Sequence, residues 1–247
     1  MYNIIKKLAY DIGLKEILLN NENMFRRALS LFYVGNNVEC NICNKKFRKF
    51  LDNQRGEKLC PNCGSLPRDR RLFYELEKNV LIKSEIKILD FSPSRSIYRK
   101  LKQKNNIQYF PTDFSGEFIA EHQYDITSIP VEDNFFNYIV CFHILEHIEE
   151  DMKAMTELYR VVDSNGIVFI QTPFKIGDIY ENNEINTPEL RQIHFGQNDH
   201  VRVYSVESLK NRLKMAGFKV EVKLYNAEKN NRFGFSLSET ILFCRKI

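Results

Sequence analysis

The stretch IKILDFSPSRSIYRKL, residues 86–101, decides the fold. Its first half is an apolar run that ends in Asp90, and a helical repeat begins a few residues later. Nucleotide-binding α/β folds place a glycine-rich turn at such a junction. Here the turn contains no glycine. One strand, acid and helix in a row is weak evidence, so the reading depends on whether the pattern recurs.

It recurs through the rest of the chain. Strands are predicted at 86–91, 107–112, 137–142, 166–171, 218–225 and 239–245, with helices at 95–104, 150–162 and 205–216. Ser205 is placed to cap the last helix and Gly217 to stop it. Alternating strand and helix predicts a parallel sheet covered by helices. The final two strands have no helix between them and should form an antiparallel pair at the sheet edge.

Upstream the pattern differs. Residues 1–38 read as an amphipathic helical segment, with Ile4, Ile5, Leu8 and Ile12 on one face and Lys6, Lys7, Lys15, Arg26 and Arg27 among the apolar residues. Residues 39–71 are short, polar and cysteine-bearing, and 72–82 form a helical connector into the large domain, 72–247. The net charge of +4 is unevenly spread: residues 1–84 carry 16 Lys/Arg against 9 Asp/Glu, and the remainder carries 20 against 23. A basic front portion suits a polyanion, an anionic membrane surface or a solvated helical face. No apolar run approaches the roughly 18 residues of a membrane span, and no signal peptide is read, so a cytoplasmic protein is expected. Residues 1–38 could still make it peripheral at the inner membrane surface.

Cys40-x2-Cys43 and Cys60-x2-Cys63, 16 residues apart, can present four thiolates from two facing turns. That set suits a tetrahedral, closed, structural Zn²⁺. Without a secretion signal, disulfides are the poorer reading. Cys141 and Cys244 fall inside predicted strands and read as small core residues.

Three features stand where a nucleoside needs them. Asp113 ends the second strand, 23 residues after Asp90, where an acid can accept from both ribose hydroxyls. Phe114 follows and can lie against an adenine face. Asp125 sits in a loop before the strand FNYIVCF and can accept from the adenine amine, with the backbone near Ile126 reading a ring nitrogen. Each acid alone reads equally as a loop carboxylate.

The segment YDITSIPVEDNFFNYIVCFHILEHIEEDMKAMTELYRVVDSNGIVFIQTP resembles the core of S-adenosylmethionine-dependent methyltransferases of the Rossmann-like class, type 11. CNIC…CPNCGSLPRDRRL, ILDFSPS and HFGQNDHVRVYS together resemble a bacterial subgroup that joins an N-terminal zinc ribbon to that domain, over about residues 38–225. The resemblance implies an α/β, Rossmann-like class I methyltransferase sheet with an antiparallel edge pair, preceded by the zinc ribbon. Most of the class carries Asp-x-Gly-x-Gly-x-Gly where this chain has Ser92, Ser94 and Ser96. S-adenosylmethionine has no pyrophosphate, so a less intimate turn can suffice, with the Ser92 and Ser94 hydroxyls donating to its carboxylate. By position, Asp90 orients the methionine amino end, Asp113 holds the ribose and Asp125 the adenine amine. Cys141, Phe142 and His143 line the methionine side.

Methyl transfer to a hydroxyl or amine needs an aligned acceptor and a proton acceptor. Residues 186–205 read as a long lid without regular structure, crowded with Arg191, His194, Gln197, Asp199, His200 and Arg202. His200, oriented by Asp199, is the first choice of general base and His194 the second; a polar network that only pins the lid is the competing reading. His143, Glu146 and His147 have the spacing of one helical face, which serves packing, cofactor lining or a second cation. Three functions stay open: methyl transfer to an oxygen of a glycan or small molecule, methylation of RNA gripped by the ribbon, and a scaffold that has lost the cofactor. For RNA, only Phe47 and Phe50 interleave with the ribbon's charges, a thin set for base stacking.

Overall fold

The computed structural model describes residues 22–79, 85–227 and 229–246, in two compact units. The apolar repeat expected over residues 1–21 lies outside the described residues.

The smaller unit takes Met1–Ile82, Ser94–Lys100 and Asn226–Leu237. Its first described element is helix α1 (Glu22–Ser30), whose first-turn Glu22 pairs with Arg26 at 2.7 Å and with Arg95 at 2.6 Å. The helical character expected as far as residue 38 ends sooner. Strand β1 (Val34–Cys40) pairs antiparallel with β2 (Lys45–Phe47). Gly35-Asn36-Asn37 are poor helix formers. Gly35 also packs against the next strand, where an added Cβ would lie 2.6 Å from the Arg48 nitrogen. A second hairpin, β3 (Leu51–Asp52) with β4 (Lys58–Leu59), leads to helix α2 (Pro67–Asn79). That helix starts five residues before the expected connector, because Pro67 suits a first helical position and the Asp69 carboxylate accepts from the Leu66 amide at 2.9 Å. Ser94 precedes helix α3 (Arg95–Leu101), and Ile97 is buried.

Among the described residues of this unit, Arg70 is the most deeply buried charge. Its guanidinium donates to the carbonyls of Lys58, Ser65, Phe233 and Gly234 and stacks 4.2 Å from the Phe50 ring centroid. These acceptors satisfy the fork without a carboxylate partner.

The larger unit takes Lys83–Pro93, Leu101–Tyr225 and Ser238–Ile247. Its strands are β5 (Ile86–Phe91), β6 (Ile107–Thr112), β7 (Phe136–Phe142), β8 (Val162–Gln171), a short β9 (Tyr180–Glu181) and β10 (Arg202–Val203), then β11 (Phe218–Asn226) and β12 (Ser238–Lys246). Six of them form one mixed sheet in the order β11-β12-β8-β7-β5-β6. The pairs β5–β6, β5–β7 and β7–β8 are parallel and β12 runs antiparallel to β8. The apolar runs of β5 and β7, both interior strands of the sheet, are buried, the continuous apolar pattern expected of parallel strands covered on their faces. Helices α4 (Asp151–Val161), α5 (Pro188–Phe195) and α6 (Val206–Met215) complete the unit. Ser205 caps α6 in a reciprocal box with Ser208, as its sequence position requires. Leu158, Val161, Leu209 and Leu213 pack with Ile139, Val168 and Leu242 into the core.

Candidate active site

The site is built where the parallel strands end, the edge at which open α/β sheets bind ligands. Asp90, next to last in β5, is buried, and its Oδ2 accepts from the Tyr109 hydroxyl at 2.7 Å. Two residues on, Ser92 adopts φ 48°, the left-handed region where glycine is normally favoured. The glycine-less turn therefore makes a glycine-type bend with a serine. The Ser92 hydroxyl does not point to open space but donates to Asp113 Oδ1 at 2.6 Å. Ser94 lies in the other unit, where its hydroxyl stands 3.1 Å from that of Ser96 at the start of α3.

Asp113 follows β6 directly. Its oxygens accept from Ser92, from the Ser115 hydroxyl at 2.9 Å and from the Phe118 amide at 3.3 Å. Burial works to raise the Asp113 carboxyl, but the donors on its oxygens outweigh that and hold it below its ordinary range. Phe114 beside it is exposed. Asp125 Oδ1 accepts from both the amide and the hydroxyl of Thr127 at 2.8 Å. The side chains of Ile126 and Cys141 turn into the core, so only their backbone can face a ligand. Burial pushes the Cys141 thiol up, and it is chemically inert. Phe142 ends β7, and His143 then takes φ 57° while its amide donates to the Gln171 carbonyl at 2.7 Å.

The lid differs from the sequence expectation in two ways. First, it is not irregular: α5 occupies residues 188–195, and β10 pairs with β9. The sequence does hold the signals, since Thr187 caps the helix, Pro188 opens it and Gly196 closes it at φ 86°. Second, Asp199 does not orient His200. Its Oδ2 lies 3.1 Å from Nδ1 of His147. His200 is buried, with Nδ1 3.3 Å from the Phe195 carbonyl and Nε2 2.8 Å from the Gln197 amide nitrogen. Burial, and then the neighbouring His147, lower the His200 pKa, so the ring is neutral near pH 7. His147 and His200 meet edge to face at 4.6 Å, and the buried carboxylate of Glu146 joins them. His194 is elsewhere, on α5, with Nδ1 2.8 Å from the Tyr180 hydroxyl.

Two residues of the lid segment, Arg202 and Tyr204, hold it down. Arg202 donates to the carbonyls of Leu145, Ile148 and Glu149 and to Glu181 Oε2 at 2.9 Å. The Tyr204 hydroxyl donates to Asp151, which also receives Arg212. The pinning network expected as the competing reading thus exists, and it runs through Arg202 and Tyr204 rather than the histidines.

In the smaller unit the four cysteines converge. Cys40 and Cys63 sulfurs are 3.6 Å apart, those of Cys43 and Cys60 are 3.8 Å apart, and all four lie within 4.8 Å of one another. A tetrahedron with Zn–S bonds of about 2.3 Å has edges of ~3.8 Å, so the spacing fits a thiolate cage. Asn44 and Gly64, each directly after its Cys-x2-Cys pair, take left-handed φ of 55° and 75°, which folds the two turns alike.

A family model for a methyltransferase domain matches residues 66–222. The chain belongs to the methyltransferase domain family. The activity of this class is methyl transfer from S-adenosylmethionine, and the mixed six-stranded sheet is the fold that supports it. Solved structures agree in fold. A methyltransferase dependent on S-adenosylmethionine from Archaeoglobus fulgidus is 15% identical, with a TM-score of 0.51 over 72% of this chain and 94% of that one. The [4+2]-cyclase SpnF is 16% identical, with a TM-score of 0.52 over 80% of this chain and 86% of that one. The phosphoethanolamine N-methyltransferase 2 of Haemonchus contortus, 14% identical with a TM-score of 0.50, shares 71% of this chain and 52% of its own. No curated protein matched. Asp113 and residues 141–143 stand at the ends of β6 and β7, the edge at which open α/β sheets bind ligands, Asp125 lies in the loop before β7, and the lid segment belongs to the same unit.

Proposed function

We propose that this methyltransferase transfers the methyl group to an oxygen of a glycan or small molecule. The observation that carries the reading is the Glu146–His147–His200 cluster following β7 and closing the lid. A hydroxyl must lose its proton as it attacks, and two imidazoles beside a carboxylate form a site that can draw that proton off. The methyl donor is held by Asp113 at the ribose and Asp125 at the adenine amine, with Phe114 against the ring. In this reading Asp90 acts through the turn and not by direct contact, since Tyr109 engages one of its oxygens. His194 is left out of the chemistry because it is bonded to Tyr180 on the exposed face of α5.

Structural zinc in the Cys40–Cys43–Cys60–Cys63 cage completes this reading. Four thiolates around Zn²⁺ carry a net charge of −2, which accounts for a buried Arg70 close by whose acceptors are carbonyls and the Ser65 hydroxyl. Residues 1–38 are proposed to rest on an anionic membrane surface. In their described part Met24, Phe25, Leu31, Phe32 and Val34 are exposed beside Arg27.

Calorimetry with S-adenosylhomocysteine tests the donor half. Asp113→Ala leaves the ribose hydroxyls unpaired, at a cost of roughly 1–3 kcal/mol, so affinity falls about ten-fold or more. An unchanged dissociation constant removes Asp113 from the site, and no binding by the wild type would leave only the scaffold reading. Transfer of labelled methyl to saccharide hydroxyls, with RNA as the competing acceptor, tests the other half; label appearing only in RNA overturns it.

A further inference from the structure

We propose that Glu146, His147 and His200 hold a divalent transition-metal ion, separate from the cysteine cage, and that this ion binds the acceptor oxygen. The inference rests on the methyl-transfer reading for its catalytic consequence, though the site itself follows from geometry.

One ligand atom from each of the three side chains lies within 4.8 Å of the others. Bonds of about 2.0–2.2 Å to a shared cation bring such atoms to ~3–3.5 Å, a closure that side-chain rotation can supply. The carboxylate gives an independent pointer. Glu146 is 1% exposed, and neither of its oxygens makes a hydrogen bond. The His143 imidazole approaches it, with Nδ1 3.5 Å from Oε1, too long for a strong bond. A buried carboxylate left so poorly served is costly unless a cation meets it.

Both imidazoles are already set as metal ligands usually are. His147 faces the Asp199 carboxylate with Nδ1, and His200 faces the Phe195 carbonyl with Nδ1. Such outer partners fix the tautomer and turn the Nε2 lone pair toward a metal. On His200 that lone pair is taken by the Gln197 amide N–H, which stands where a cation would attract it more strongly. Gln197 is only half-buried and is free to swing aside. Two imidazole nitrogens and one carboxylate oxygen form a borderline donor set suited to Zn²⁺, Co²⁺, Fe²⁺ or Mn²⁺. Three protein ligands leave a position open. An acceptor hydroxyl there loses its proton to solvent on coordination. Its oxygen then forms the bond to the methyl carbon as the carbon–sulfur bond breaks, and the electron pair returns to sulfur to give the neutral thioether.

The test is a Co²⁺ titration of the zinc-loaded, full-length protein, followed by equilibrium dialysis and visible absorption. One additional cobalt per chain should bind, with zinc retained and without thiolate-to-cobalt absorption. Glu146→Gln and His200→Ala should each weaken cobalt binding about a hundred-fold, and Asp199→Asn about ten- to a hundred-fold. Metal-free Glu146→Gln should melt no lower than the wild type, because it removes an unserved buried charge. A lower melting temperature with unchanged cobalt affinity would assign Glu146 to a structural pair with His143 and overturn the proposal, as would cobalt entering only by displacing zinc. S-adenosylhomocysteine binding is measured on the same samples. If it persists without a cobalt site, this inference alone fails; if cobalt binds and the homocysteine ligand does not, the methyl-transfer reading fails instead.

Discussion

A serine at φ 48° does two things at once at the end of β5. It makes the bend, at a cost of about 1–2 kcal/mol for a left-handed L-residue, and it donates to Asp113. The bond has a pH signature. Asp113 is held below its ordinary range in the folded protein, so its contribution to stability is fully present above the unfolded value near 4. That contribution is lost as pH falls through the lower folded value. Ser92→Ala keeps the Cβ and the strain but deletes the donor. Urea midpoints should show it about 1 kcal/mol less stable at pH 7, with the gap closing as pH falls below the ordinary carboxylate range and Asp113 takes up its proton. A gap that stays constant across this range would mean that the hydroxyl does not serve the charged carboxylate. Ser92→Gly loses the same bond but relieves the strain, and should fall between alanine and wild type. The acids at the strand ends were legible from order and spacing alone. The partner of Asp199 was not, because Asp199 lies in a turn, where sequence adjacency does not set which way a side chain points, and His200 was the wrong neighbour to choose.

Among the elements, the sheet strands and α4 and α6 follow from periodicity to within a few residues, because each presents one apolar side to a single core. Two elements were hidden for the opposite reason. Helix α5 buries only Phe195 along its length, so it has no apolar repeat to find, and only its Thr-Pro start and glycine stop mark it. Strand β1 is largely exposed and gives no clean alternation. The lid is held by hydrogen bonds more than by burial, which makes Arg202 its critical contact. Lysine in its place keeps the charge but cannot reach the three carbonyls and Glu181 together. Arg202→Lys should cost about 3 kcal/mol, the range for breaking a buried charged network. Hydrogen exchange should quicken in residues 180–203 while the amides of β7 stay protected. Uniform loss of protection across the sheet would show that Arg202 supports the core and not the lid.

For the whole molecule, the cysteine spacing was legible, but the cage's support was not, since it comes from residues 233 and 234 at the far end of the chain. Purified protein should contain one tightly held zinc per chain by elemental analysis. Cys60→Ser should lose it together with most of the folding energy of the smaller unit, on the order of 10 kcal/mol. A zinc content near zero in wild type would sink the cage. Sedimentation with anionic vesicles should carry the protein down at low salt and release it at high salt. Replacing Phe25 and Phe32 with serine should abolish pelleting, and pelleting that survives the change would place the contact elsewhere. Arg70 also dictates an order of events during synthesis. Two of its acceptors lie 163 and 164 residues downstream. At 5–20 residues per second, the ribosome delivers them roughly 8–30 seconds after the arginine itself. Until then the nascent cysteine turns hold a bare guanidinium short of acceptors, and a prematurely terminated chain never supplies them. Quality control thus gains a simple criterion: the cysteine turns mature only once residues 233 and 234 have been made.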